Sequence, residues 1–256
     1  MTAELVAVVL AAGEGRRLRP LTARIPKALC PVNNVPLVDR ALSAVTPYAS
    51  ATAVNAHALA DLMLDHLSRT APAVFVSVEY PGALGTAGAL GQLRNWIADR
   101  DVLVHNADAY LPGGVGVLVD GWDGERCRLL VTRSPGSGDF GDLRYVGACL
   151  LPGAVVGGLA AEPSGLYERA WADSRALDFV VADAAAIDCG TPQDYLRANL
   201  HASGGASVIG PDAVVDGELV RSVVWPGGRV FPGERLVESI RAGDDLTVPA
   251  PLAAAG

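Results

Sequence analysis

The sequence predicts an α/β fold: a mainly parallel sheet with helices on both faces, followed by a short hexapeptide-type left-handed β-helix. Three observations carry this. Short apolar, β-branched runs alternate with stretches of helical spacing from Leu5 to Leu200, the pattern of successive βαβ units. WPGGRV (Trp225–Val230) is followed directly by FPGERL (Phe231–Leu236), a six-residue repeat of the kind that stacks into coils. Half of the 256 residues are hydrophobic and 19% are charged, enough apolar material for one large core.

The elements follow in order. Leu5–Leu10 (LVAVVL) is a continuous apolar run ending in AAG, which suits a central parallel strand feeding a loop. Leu37–Val45 places Leu37, Val38, Ala41, Leu42 and Val45 on one side of a helix. A second strand is expected at Ala51–Asn55, a second helix at Leu59–Leu67, a third strand at Val74–Val78 and a helix at Ala87–Ile97. Asp101–His105 reads as a strand ending in NADA, and further strands fall at Leu129–Val131 and Tyr145–Leu151. Helical spacing returns at Leu166–Trp171, strand material lies within Phe179–Asp188, and Gln193–Leu200 reads as a helix. After about Gly204 the texture changes. Ile209 and Val215 share a six-residue spacing, as do Val224, Val230 and Leu236, with a shift of phase between the sets. The expected division is 1–204 as an α/β domain, 205–248 as the β-helical segment, and 249–256 (PAPLAAAG) as a disordered tail.

Net charge is −8 at pH 7 and the sequence pI is about 4.9. That balance argues against a nucleic-acid or anionic-membrane binder, which would show a spread basic face. It leaves room for small anions held by a local basic pocket. Cys30, Cys127, Cys149 and Cys189 lie far apart without a CxxC pair, as expected of small buried hydrophobes in a reducing cytoplasm rather than of disulfides or a zinc site. The run Leu5–Ala12 is too short to span a bilayer and follows Glu4 where a leader would carry positive charge. The protein is expected to be soluble and cytoplasmic.

Against this acidic background, LAAGEGRRLRPLTARIPKALCPV (Leu10–Val32) holds Arg16, Arg17, Arg19, Arg24 and Lys27, and no acidic residue falls between Arg16 and Lys27. The segment leaves the carboxyl end of a predicted buried strand, where open α/β sheets place ligands. Gly13 and Gly15 allow a close backbone approach and present N–H groups to an anion. Glycines, backbone donors and guanidiniums together describe a polyphosphate cradle. It is neither a GxxxxGK[ST] loop nor a GxGxxG fingerprint, because Leu18 stands where each needs its later glycine. Lys27 is the only lysine in a chain otherwise served by arginine, which marks a site needing a compact, non-planar ammonium.

The segment resembles the signature of the sugar-1-phosphate nucleotidyltransferases, LAAGxGxRLxPLTxxxPKxLxPV, most closely in the mannose-1-phosphate guanylyltransferase and N-acetylmuramate-1-phosphate uridylyltransferase branches. Further echoes are VNAHALADLMLDHL (Val54–Leu67), ALGTAGAL (Ala83–Leu90), VHNADAY (Val104–Tyr110) and DCGTPQDYL (Asp188–Leu196). Together they cover nearly all of residues 4–200. The resemblance implies a Rossmann-like nucleotidyltransferase fold and an enzyme that joins an NTP to a sugar 1-phosphate, releasing pyrophosphate with Mg²⁺.

It also implies roles. Arg17 would hold the departing β- and γ-phosphates, and Lys27 would lie between the attacking phosphate and the α-phosphate. Leu10, Ala11, Gly13 and Gly15 would meet base, ribose and phosphate through backbone groups. Gly85 would let the base lie against the main chain, with Glu79 upstream as a candidate for reading it. Asp108 and Asp188 would share one Mg²⁺, a hard cation suited to carboxylates, phosphates and water. Gly147 and Glu168 would meet the sugar, while His57 is expected to be structural. The chain departs from the pattern in Gly15-Arg16-Arg17, in Asn106-Ala107-Asp108, and in lacking a Glu-Lys-Pro whose lysine grips the sugar phosphate; Arg144 or Arg133 is the candidate replacement.

The expected pair leans slightly toward GTP with mannose 1-phosphate. No nucleic-acid or membrane partner is expected, and a homo-oligomer through the C-terminal segment would bury that segment's exposed end. The alternative from another class is a catalytically inactive, nucleotide-sugar-binding regulatory paralogue. A glycosyltransferase would be expected to show Asp-x-Asp where Asn106 begins the motif here.

Overall fold

The computed structural model describes residues 4–252, apart from the side chain of Ser174. These residues fall into two compact units that interleave along the chain: 4–14 with 38–186, and 15–37 with 187–252.

The first unit is built on a seven-stranded sheet. Its strands are β1 (Leu5–Leu10), β2 (Thr52–Ala56), β3 (Phe75–Val78), β4 (Asp101–Asn106), β5 (Cys127–Arg133), β6 (Leu143–Leu151) and β7 (Leu177–Val181). Their order across the sheet is β7-β5-β6-β4-β1-β2-β3. β1 runs parallel to β2 and β4, with Leu10 opposite both Asn55 and Asn106. β6 alone is antiparallel, to β4 on one side and β5 on the other. Helices α1 (Leu37–Val45), α2 (Ala60–Thr70) and α3 (Gly85–Ile97) supply the crossovers. Val6, Val8, Val102, Val104, Leu129 and Cys149 meet Ala87, Leu90, Leu93 and Ile97 of α3 in the core. α3 starts two residues earlier than its apolar spacing suggests. Its first turn is capped from a distance, since Ala87 N–H donates to Ser164 O (3.0 Å), satisfying a donor that a helix start otherwise leaves open.

The second unit begins with three 3-10 turns, Arg16–Leu18, Leu21–Ala23 and Lys27–Leu29, whose Leu18 and Leu21 are fully buried. Helix α4 (Pro192–Ala202) follows the strand Ile187–Asp188 and is capped by Thr191, whose Oγ1 accepts from Asp194 N–H. After it, Val208–Ile209, Val223–Val224 and Ser239–Ala242 stack in parallel, and Leu246–Pro249 closes the edge antiparallel. Two more parallel pairs join Val214–Val215 to Arg229–Val230 and Glu218–Val220 to Arg235–Val237. These returns are those of a β-helix-like segment, and Val224, Val230 and Leu236 line its interior with Val215. Ile209 departs from that pattern: it is half exposed, and its neighbour Val208 is the buried residue of the pair.

The expected tail also changes. Pro249 ends a strand, Ala250 N–H donates to Glu238 O (2.8 Å), and Leu252 N–H donates to Glu238 Oε2 (2.7 Å). These backbone bonds order residues up to 252, while 253–256 lie outside the described residues. Among the described residues no helix is long and apolar enough to cross a membrane.

Candidate active site

In the first unit, the carboxyl ends of the parallel strands open into a cavity of about 200 Å³. Its wall from the β1 loop comprises Leu10, Ala12 and Gly13; that from the start of α3 comprises Ala83, Gly85 and Thr86. Asn55 at the end of β2 and Asn106 and Asp108 after β4 complete it. β1 has no polar side chain to offer, so its loop presents main chain; a Cβ on Gly13 would meet nothing within 4 Å. Ala107 N–H donates to Leu10 O (2.9 Å), extending the β1–β4 ladder and turning Asp108 into the cavity wall. Gly85 adopts φ +70°, and a Cβ there would stand 2.7 Å from Ser164 O, so only glycine fits.

Glu79 is not among the lining residues. Its carboxylate accepts from Asn55 Nδ2 (2.7 Å) and from Leu84 N–H (2.6 Å), and the residue is buried. Asn55, in turn, accepts from Ala11 N–H (2.6 Å). Asn55 is not among the residues singled out from the sequence: a buried amide in a strand needs partners, but nothing local says which. His57 Nδ1 lies 3.0 Å from Glu79 O. Gly147 (φ +98°) lies under the β4 loop, where a Cβ would come within 2.7 Å of Ala109 Cβ and 3.3 Å of Asn106 Cβ. Glu168 is exposed and turns back on its own helix start, accepting from Gly165 N–H (3.4 Å). Arg144 is engaged in its own loop, donating to Ser137 O (2.7 Å) and to Ser137 Oγ (3.0 Å).

The second unit gathers the charged residues. Gly15 takes φ +62°, and Thr22 Oγ1 donates to its carbonyl (2.8 Å). The buried Leu18 and Leu21 anchor the turns and leave Arg16, Arg17, Arg19 and Arg24 exposed. Lys27 is 8% exposed. Its Nζ lies 3.5 Å from Asp188 Oδ1, while Arg17 Nη2 lies 3.3 Å from Asp188 Oδ2. One carboxylate therefore draws together the two cations singled out from sequence, 171 and 161 residues away along the chain. The DCGTP turn supports this: Cys189 is fully buried, and Gly190 leaves room for the Arg17 guanidinium.

Three of the four cysteines are held far from the thiolate form. Burial pushes the Cys30 thiol up to about 12 and Cys127 up to about 11, far from the thiolate a nucleophile needs. Burial also raises Cys149 and lowers His105 to about 4. Fixed cations, backbone donors and carboxylates are what this chain offers, the equipment of phosphoryl chemistry by positioning and charge neutralisation. For a metal, no group of three His, Cys, Asp or Glu side chains comes together among the described residues. The donor type nevertheless suits a hard cation: Asp108 brings a carboxylate to the cavity lining, and Mg²⁺ takes one or two carboxylates with substrate phosphates and water.

Residues 6–120 match the family model described as nucleotidyl transferase. The chain is 37% identical over 153 residues to the N-acetylmuramate alpha-1-phosphate uridylyltransferase of Caulobacter vibrioides, covering 54% of this chain and 63% of that one. It is 29% identical over 222 residues to a Sulfolobus acidocaldarius protein provisionally named mannose-1-phosphate guanyltransferase, covering 76% and 62%. It thus spans under two thirds of the length of either relative. A solved Thermus thermophilus structure, described as a mannose-1-phosphate geranyltransferase, superposes with a TM-score of 0.70 at 15% identity, covering 96% of this chain and 95% of that one. That likeness establishes a shared fold, the nucleotidyltransferase fold expected from the sequence.

Proposed function

We propose that this protein is a sugar-1-phosphate nucleotidyltransferase: it transfers a nucleotidyl group from an NTP to a sugar 1-phosphate, giving an NDP-sugar and pyrophosphate. The observation that carries this reading is the chain's only lysine, buried against Asp188 beside Arg17. A phosphate oxygen of the sugar 1-phosphate attacks the α-phosphorus in line, the bond to the β-phosphate oxygen breaks, and pyrophosphate leaves with its electron pair. Lys27 neutralises charge where the two phosphates meet, and Arg17 neutralises it on the departing pyrophosphate. Leu10, Ala11, Gly13, Gly15 and Gly85 serve the nucleotide through main-chain groups, and Gly147 and Glu168 belong to the sugar side. Asp108 and Asp188 would hold Mg²⁺, which when bound supplies further charge neutralisation at the phosphates.

GTP with mannose 1-phosphate is the first pair to test, supported by the Sulfolobus relative's name; UTP is the first competitor, supported by the Caulobacter one. The four cysteines are buried and form no disulfide, which suits a reducing cytoplasm. An oligomer would form through the C-terminal segment.

The absence of a Glu-Lys-Pro lysine favours a second reading, an inactive paralogue that binds nucleotide sugars and regulates a partner. Pyrophosphate release from purified protein with Mg²⁺, with each common NTP crossed against a panel of sugar 1-phosphates, separates the two. Release dependent on one pair is the expected outcome. Silence across the panel, with nucleotide sugars still binding by calorimetry, overturns the catalytic reading in favour of the regulatory one.

A further inference from the structure

Four elements of the first unit are joined by one chain of hydrogen bonds beneath the strand-end cavity. Ala11 N–H donates to Asn55 Oδ1 (2.6 Å), Asn55 Nδ2 donates to Glu79 Oε1 (2.7 Å), and Leu84 N–H donates to Glu79 Oε2 (2.6 Å). The outer members lie within the cavity's two main-chain walls, Ala11 between Leu10 and Ala12, and Leu84 between Ala83 and Gly85. The inner members are buried, Asn55 at 3% and Glu79 at 2% exposure.

Only one assignment of donors and acceptors satisfies the chain. Ala11 and Leu84 can only donate, a carboxylate can only accept, and the Asn55 amide must therefore show its oxygen to Ala11 and its nitrogen to Glu79. Reversing that amide would set two donors against each other at one end and two acceptors at the other. The Glu79 backbone is itself fixed, because its N–H donates to Ala56 O (2.8 Å) and its carbonyl lies 3.0 Å from His57 Nδ1. Both carboxylate oxygens are thus committed to wall-to-wall spacing. A rigid, fully satisfied buried network of this kind holds its elements to a single geometry.

We infer that Asn55 and Glu79 are positioning residues for the nucleoside half of the NTP. Their side chains set the separation and direction of the main-chain walls that would embrace base and ribose, and Glu79 acts through Leu84 rather than on the base. The inference rests on reading this cavity as the nucleotide pocket.

Charge relocation tests it. Glu79→Gln places an amide NH₂ against either Asn55 Nδ2 or Leu84 N–H, two donors facing each other. Asn55→Asp sets two carboxylates against one another. Each single variant should raise the KM for NTP about tenfold or more, with kcat changed by less than about threefold and the KM for sugar phosphate unmoved. In the double variant N55D/E79Q, the introduced carboxylate accepts from Ala11 N–H and from the NH₂ of the introduced amide, whose own oxygen accepts from Leu84 N–H. The alternation is restored with one carboxylate, so the NTP KM should return to within about threefold of wild type.

Melting temperatures and NTP dissociation constants by calorimetry are measured alongside. Singles that fold poorly but are rescued together support the inference equally. A double variant as impaired as the product of its singles overturns it, as does an E79Q variant that exchanges one preferred base for another at undiminished kcat/KM, which would mean that Glu79 reads the base. A wild-type chain that binds no NTP overturns the proposed function and this inference together, whereas unrescued variants of a chain that binds NTP overturn the inference alone.

Discussion

A methyl group added at Gly190 would stand 2.6 Å from Arg17 Nη2 and 2.9 Å from Asp188 Oδ2. The atoms in its way are the ends of side chains, so the fold can survive by moving them. Gly190→Ala should therefore shift the melting temperature by no more than about 4 °C while lowering kcat/KM roughly tenfold or more by displacing Arg17. A variant with full activity would mean that Arg17 takes no part in the reaction. Lys27→Ala should lower kcat about 10²–10³-fold, and Lys27→Arg should recover little of it, because the side chain is nearly enclosed and a planar guanidinium is a poor copy of an ammonium. Steady-state kinetics with the NTP and sugar pair found in the panel would check both. At this scale the cationic residues were legible because they stand out chemically: one lysine in the chain, and arginines massed between glycines. Asn55 and Gly190 were not, because their significance lies in what faces them from residues remote in sequence. Glu79 was legible as a carboxylate near the cavity, but not as one whose two oxygens are already taken.

Among the elements, β4 carries His105 within it and leads into Asp108 two residues beyond its end. His105 is buried, its Nδ1 lies 2.8 Å from Asn106 O, and burial lowers its pKa to about 4. The folded value lies below the ordinary 6.5, so as pH falls the unfolded chain takes up this proton first. The associated stability is full above about pH 6.5 and is lost between about 6.5 and 4, by roughly 3 kcal/mol. His105→Asn keeps a side-chain donor near Asn106 O and removes the titration. Urea midpoints of wild type and variant should therefore converge toward pH 4, with wild type losing more stability than the variant over that range; parallel curves would refute the assignment. The existence and type of the main elements were readable from periodicity, from LVAVVL at β1 to the helix at Pro192–Ala202. The reversal of β6 was not, because an apolar run has no direction until its neighbours are known. Nor was the early start of α3, which depends on a carbonyl from Ser164 and on glycines that let the chain from Ala160 to Ser164 lie against the helix; a Cβ at Gly88 would meet Glu162 O at 2.2 Å.

For the whole molecule, the change of texture near Gly204 suggests an appendage, yet the second compact unit joins the basic segment Gly15–Leu37 to the C-terminal strands. Arg24 holds Asp245 through two bonds of 3.1 and 2.9 Å, and Asn34 Nδ2 donates to Ile209 O (2.9 Å). Trp225 Nε1 donates to Tyr195 Oη (3.0 Å), and that hydroxyl donates to Pro31 O. Asn33 N–H donates to Asn199 Oδ1 (2.9 Å) from the same helix as Tyr195. The strands after Gly205 thus brace the loop that carries Lys27 and Arg17 without supplying any proposed catalytic group. Truncation after Gly205 removes Ile209, Trp225 and Asp245 and leaves Lys27, Arg17 and Asp188 in place. Such a chain should lose kcat/KM by about tenfold or more, and amide exchange should quicken across residues 20–36 while the buried strands β1 and β4 keep their protection. Asp245→Asn alone should change little, since that ion pair is exposed and the other links remain. If the truncated chain keeps wild-type kcat/KM and its loop keeps its protection, the C-terminal strands do not brace the basic loop and the boundary suggested by the sequence is also the functional one. If activity and loop protection fall together, the long interval between Lys27 and the C-terminal strands is bridged by the fold, and the two ends of the chain work as one element of the site.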